Sequence, residues 1–149
     1  MKFRSPLKFG GRVQEGSELI NVELKVESRG GKHATGRGSM PLGNIWAWPS
    51  DAVTPEQSVA AMKQFAKETT EMVAAYQDFD HPLDIMYRVS AEYAHLGKLI
   101  SKRLNLPEVM PALAELVAAS PLDAAVHDAY GRVHGINSYN ALSKEFVNF

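Results

Sequence analysis

The chain has 149 residues, the size of one ordinary domain and long enough to bury a core. At 45% hydrophobic and 22% charged it excludes a disordered chain, and a net charge of −1 gives no bulk attraction to nucleic acid or to anionic membranes. Cysteine is absent, which excludes disulfides, thiolate metal sites and a cysteine nucleophile.

The start, Met1 to Gly11, carries basic residues with no apolar run after them, so it is not a secretory signal. No apolar stretch is long enough to span a bilayer, and the expectation is a soluble, cytoplasmic protein. Ile20, Val22, Leu24 and Val26 alternate with Asn21, Glu23, Lys25 and Glu27, the period of a half-buried strand. Ser28 to Lys32 supplies glycines for a tight turn, and His33 to Met40 is the returning strand of a hairpin. A lone hairpin is marginal in water, so another layer must cover its apolar face.

Pro41 to Pro49 reads as a loop holding both tryptophans, Trp46 and Trp48. Thr54-Pro55-Glu56-Gln57 is a helix start, with a capping threonine, proline in the first turn and glutamine closing a capping box. Val59, Met62, Phe65, Ala66, Thr69, Met72, Val73 and Tyr76 follow at helical spacing. Asp80-His81-Pro82 resets the chain, and residues 83–104 suggest a second helix. Pro107 to Ala119 reads as a third. Ser120-Pro121-Leu122-Asp123 repeats the helix-start chemistry for a fourth, which Gly135 stops before a short helix reaching Leu142. The expected class is α+β: an N-terminal antiparallel β-meander of two or three strands, then about four helices, in a single domain over residues 1–149. No βαβ alternation is present, so no barrel is expected within it.

Chemistry is sparse. Asp123, His127, Asp128 and His134 cluster in sequence, and one reading is a histidine-based metal hydrolase using His127 and His134. The spacing fits no tight metal motif, and the simpler reading is a surface pair of Asp123 with His127 one turn apart. Gly10-Gly11 and Gly36-Arg37-Gly38 do not join a strand directly to a helix, so they read as turns and strand ends rather than phosphate cradles. The segment Met40 to Pro49 is too apolar for a solvated loop. It either meets a ligand or partner or packs on its own helices, and both readings stay open. No Gly-x-Ser-x-Gly elbow occurs.

The pattern Asp123-x4-Asp128-x2-Gly131-Arg132-x2-Gly135-x3-Tyr139-x2-Leu142 resembles the closing helices of the N-terminal capping domain of the enolase superfamily, in its mandelate racemase/muconate lactonizing enzyme branch. Arg4-x-Pro6-Leu-Lys-Phe-Gly10 is similar to that family's first loop. Asn21 to Val26 is similar to the strand after it, Gly36-x-Gly38-Ser39-Met40-Pro41 to the end of the next strand, and Thr54-Pro55-Glu56 to the helix start. Ser39 stands where an acid is common there, Arg132 where lysine is common, and Asn137 where proline is common.

The resemblance implies a cap over a (β/α)-barrel that holds Mg²⁺ on carboxylates and takes the proton α to a substrate carboxylate. Such a barrel needs roughly 200 residues, so the expectation is that metal ligands and base lie outside this chain, in a C-terminal barrel domain of the same protein. No catalytic residue and no metal ligand is expected within it. The partners implied are that barrel and a small carboxylate substrate, with no nucleic acid and no membrane; a homo-oligomer is compatible with the reading. Phe9 to Ser17 and Met40 to Thr54 would be the two lid loops, with Phe9, Arg12, Met40, Leu42, Asn44, Trp46 and Trp48 as substrate-facing candidates. The alternative is a stand-alone binding or dimerisation module without catalysis.

Overall fold

The computed structural model describes residues 2–9 and 11–147, and the elements run in the order expected of an α+β chain. Four strands come first: β1 (Lys2–Phe9), β2 (Arg12–Gly16), β3 (Leu19–Glu27) and β4 (His33–Pro41). They form two separate antiparallel hairpins, β1 with β2 and β3 with β4. Five helices follow: α1 (Asn44–Ala47), α2 (Pro55–Ala74), α3 (Pro82–Ser90), α4 (Tyr93–Arg103) and α5 (Ala112–His134). A 3-10 turn, Ser138–Leu142, comes last. Among the described residues no barrel is formed. No helix among the described residues is long and apolar enough to cross a membrane.

The β3–β4 hairpin follows the alternation. Its register runs from Leu19 opposite Pro41 to Glu27 opposite His33. Gly31, at φ +76°, takes the left-handed turn position that a side chain would strain, and its N–H donates to Ser28 O at 2.8 Å. The capping box of α2 is complete: Gln57 N–H donates to Thr54 Oγ1 and Thr54 N–H to Gln57 Oε1. Gly135 ends α5 in the left-handed conformation.

Three expectations change. Phe9 to Ser17 is not a loop, because β2 occupies most of it. Gln14 is buried, its amide donating to Gly16 O. Pro6, which has no N–H for a ladder, sits where the β1–β2 register shifts. The helix expected over residues 83–104 breaks at Ala91–Glu92 into α3 and α4. Conversely, the helices expected on either side of Ser120 are one helix, α5. Ser120 does not cap; its hydroxyl donates to Leu116 O within the helix. Alanines 114, 118, 119, 125 and 129, with Val117, Leu122 and Val126, bury α5 on most sides, and that burial outweighs the hydrogen bond removed at Pro121.

The core has two parts. The larger joins α2, α4 and α5 around Met62, Phe65, Ile100 and Ala118, with Phe65 edge-on to Tyr93 at 5.3 Å. The smaller lies under the hairpin and joins Val22 to Met86, Leu122, Ala125 and Val126.

Gly36 and Gly38 are not at strand ends. They lie inside β4, where it meets α5. A Cβ on Gly38 would sit 1.9 Å from Pro121 O, and one on Gly36 2.1 Å from Ala125 O. Backbone thus packs directly on backbone. Arg37, between them, donates its N–H to Asp128 Oδ2 at 2.9 Å, so α5 also satisfies the outer edge of β4.

Gly38→Ala is expected to destabilise the chain by about 3 kcal/mol, because the helix must move away. Gly11→Ala, with open space around it, serves as a neutral control. Urea denaturation of the two variants measures the difference.

Glu115 is 5% exposed, with its carboxylate against Gly97 of α4. Burial pushes its pKa up, and Lys98 only partly offsets this. A carboxyl raised on folding costs stability as pH rises from the unfolded pKa through the folded one. Glu115→Met is therefore expected to stabilise the chain at pH 7 by about 1 kcal/mol. Melting curves should show the gain shrinking toward pH 4.

Candidate functional site

The two segments expected to act as lids are joined in the structure. Arg12 on β2 donates to Ser50 O and forms an ion pair with Asp51 at 2.6 Å. Ser17 Oγ donates to Leu42 O, and Leu42 N–H to Glu18 O at 2.8 Å. Ser50 Oγ in turn accepts the N–H groups of Ala52 and Val53. The β1–β2 hairpin is thus clasped onto the tryptophan segment.

The candidate residues take different positions. Phe9 is exposed beside the hairpin turn, as is Val13. Gly10 lies outside the described residues. Met40 and Trp46 are half-buried against the larger core. Leu42, at 1% exposure, and Trp48, at 4%, are inside that core. Asn44 is buried too, its amide donating to Pro55 O and Ser58 Oγ at 3.2 and 3.0 Å, which fixes the entry to α2. Of the two readings of the tryptophan segment, packing accounts for Trp48. Only Phe9, Arg12, Met40 and Trp46 keep surface that a ligand can reach.

A second site emerges that the sequence did not single out. A cleft of about 860 Å³ opens between β3, the end of α2, the 78–82 connection and α5. Its floor is Leu24, Val26, Val73, Ile85 and Val126. One wall is a row of rings along α5: His81 lies 5.0 Å from Tyr130, Tyr130 4.3 Å from His134, and His134 6.2 Å from Phe146. The volume is that of a small-ligand or peptide site, and around the apolar floor the rim is rich in polar and charged groups, among them Lys25, Arg29, Asp78 and Asp80. Val126, Tyr130, Val133 and His134 stand at i, i+4, i+7 and i+8 on the helix face that lines the cleft. That spacing is the signal that would have located the wall.

His81 holds this region together. Its Nδ1 accepts Leu83 N–H at 3.1 Å, which caps α3 and leaves the ring proton on Nε2. Nε2 lies 3.1 Å from Ala141 O, so it donates there and pins the last 3-10 turn. At the mouth, the Tyr76 hydroxyl donates to Asp80, and Arg88 reaches Tyr76 Oη at 2.9 Å and Asp80 at 3.2 Å. The Tyr76 phenol is held above its usual range by the bond to Asp80 and by burial.

Asp123 and His127 do pair, at 3.8 Å, one turn apart. Burial lowers the His127 pKa, Asp123 partly opposes this, and nearby His81 adds to it. Among the described residues no group of three or more histidines or acids is arranged to hold a metal. His127 and His134 sit on opposite sides of Tyr130 in the ring row and make no site together.

Comparisons with protein-family models, with curated proteins and with solved structures return no match to this chain. The likeness to enolase-superfamily caps therefore rests on its sequence motifs.

A histidine whose pKa falls on folding leaves the unfolded state holding more protons. Its contribution is intact above the unfolded pKa and is lost as pH falls below it. The melting temperature is expected to drop between pH 7.5 and 5.5, and His127→Gln should flatten that slope. Calorimetry across this range checks it.

Proposed function

We propose that this chain is the substrate-specificity cap of a larger enzyme of the enolase-superfamily type. The ordered motifs and the α+β architecture support that reading. The observation that carries it is the clasp of Arg12 on Ser50 and Asp51. It makes one unit of two segments distant in sequence and leaves Phe9 and Val13 exposed beside it. Rigidly joined segments with exposed apolar tips suit closure over a substrate held by a second domain.

Under this proposal Phe9 and Trp46 exclude water, and the Arg12 guanidinium orients the closing edge. Among the described residues no three acids or histidines are grouped as a Mg²⁺ site requires. Under this proposal metal binding and proton abstraction belong to the barrel partner.

Reading and expressing the gene past the codon for Phe149 tests the proposal. It requires an in-frame continuation of alternating strands and helices. A stop codon with no barrel-encoding neighbour overturns it. In the extended protein, Arg12→Ala is expected to lower kcat/KM at least about tenfold while costing only about 1 kcal/mol of stability, from one part-buried hydrogen bond to Ser50 O and one exposed ion pair. Steady-state kinetics alongside thermal melts separate the two effects.

The cleft beside β3 favours a second reading, a non-catalytic binding module. That reading requires the 149-residue chain to be monodisperse alone and to take up a ligand in the cleft.

A further inference from the structure

His81 stands where the start of α3, the helix α5 and the final 3-10 turn meet. It is buried, and both of its ring nitrogens are in use. Leu83 N–H, 3.1 Å away, can only donate, so Nδ1 must present its lone pair. Ala141 O, also at 3.1 Å, can only accept, so Nε2 must carry the proton. These two partners admit one neutral tautomer and no imidazolium.

The two bonds answer a proton in opposite ways. An imidazolium keeps its Nε2–H, so the bond to Ala141 O survives and gains from the charge. The bond at Nδ1 is lost, because an N–H then faces the N–H of Leu83. A cation also comes to stand at the N-terminus of α3, where the free N–H groups and the helix dipole oppose it. Ile85 N–H, which donates to His81 O at 3.1 Å, belongs to the same first turn and is released with the cap.

The groups around the ring are these. On α5, Tyr130 lies at 5.0 Å and His127 at 6.3 Å, and His127 has Asp123 beside it at 3.8 Å. A proton on either histidine repels one on the other. In the connection before His81, Asp80 accepts from Tyr76 Oη and pairs with Arg88, which also reaches Asp78 at 3.6 Å. On α3, Asp84 stands in the first turn and Arg88 in the last. The final turn offers the Ala141 carbonyl, while its Tyr139 is exposed.

The position of the cap gives its loss a consequence. His81, Pro82 and Ile85 line the 860 Å³ cleft. Arg88, about one turn further along α3, meets Asp80 and Tyr76 at the mouth. The start of α3 is therefore a wall of the cleft, and His81 fixes it.

We infer that His81 is an acid-sensitive latch: neutral, it caps α3 and fixes that wall of the cleft; protonated, it releases the start of α3 and keeps the final turn. This stands apart from the substrate-specificity reading and from any ligand of the cleft.

The test is a titration of the full chain from about pH 8 to about pH 4.5, with nitrogen NMR of the histidine rings and amide hydrogen exchange along the backbone. At the alkaline end the His81 ring is expected to carry its proton on Nε2 and none on Nδ1. As the ring gains its second proton, protection at Leu83 and Ile85 should fall by about tenfold or more, after correction for the intrinsic pH dependence of exchange. Asn140, whose N–H donates to Asn137 O at 2.9 Å in the final turn, should keep its protection. His81→Asn retains an acceptor for Leu83 N–H and takes up no proton, so Leu83 should stay protected throughout. His127→Gln should respond as the natural chain does, which assigns the effect to His81. Any of four results overturns the inference: a proton on Nδ1 at the alkaline end, a ring still neutral when the whole chain unfolds, equal losses at Leu83 and Asn140, or an undiminished response in His81→Asn. The first three are read on the natural chain, so the test decides even if His81→Asn fails to fold.

Discussion

The contact between β4 and α5 is the constraint on which the rest of this structure depends. Gly36 and Gly38 remove two side chains from the strand, and Pro121, Ala125 and Ala129 present only small groups from the helix. The two backbones close to a distance that any Cβ would prevent. Such contact gains dispersion energy along its whole length but tolerates no added volume. It also fixes the depth of α5. Once α5 lies under β4, its other sides must be covered by something else. The helices α2 and α4 do this through Phe65 and Ile100, which pack around Ala118 of α5.

That depth explains the two hydrophobic clusters and the space between them. The helix α5 fills the volume beneath the hairpin, so α2 packs beside α5 rather than under the strands. The face of β3 toward α2 is left with half-buried side chains and a trough. The row of rings from His81 to Phe146 closes one end of that trough. His81 spans the junction: its two ring nitrogens tie the start of α3 to the final turn. A buried histidine with both nitrogens used is a positional device, since each bond fixes a different segment.

Much of this was legible in the sequence where one face of an element meets water. The alternation from Ile20 to Val26, the capping box at Thr54 and the stop at Gly135 each report a local balance that the fold preserves. Legibility failed where burial is two-sided. Ser120-Pro121 has the chemistry of a helix start, yet α5 runs through it, because the alanines around it are buried on both sides and hold the helix. Gly36 and Gly38 read as punctuation because nothing local shows that a helix 80 to 90 residues later needs their missing side chains. Asn44 and Trp48 read as surface candidates because an apolar segment between prolines looks the same whether it faces a ligand or a core.

The same reasoning separates the two ends of the molecule. At the Arg12 clasp the polar groups bond one another, and Phe9 and Val13 stay exposed beside the solvent-facing Asp51 carboxylate. At the free edge of β3 the reverse holds. The side chains have partial cover, and what remains unsatisfied is backbone. An exposed apolar tip is stabilised by any dry surface of suitable shape. An exposed backbone row is satisfied by water or by another strand, and only a strand also covers the half-buried Ile20, Leu24 and Val26 beneath. The two surfaces therefore differ in chemistry: apolar side chains stand out at the first, backbone donors and acceptors at the second.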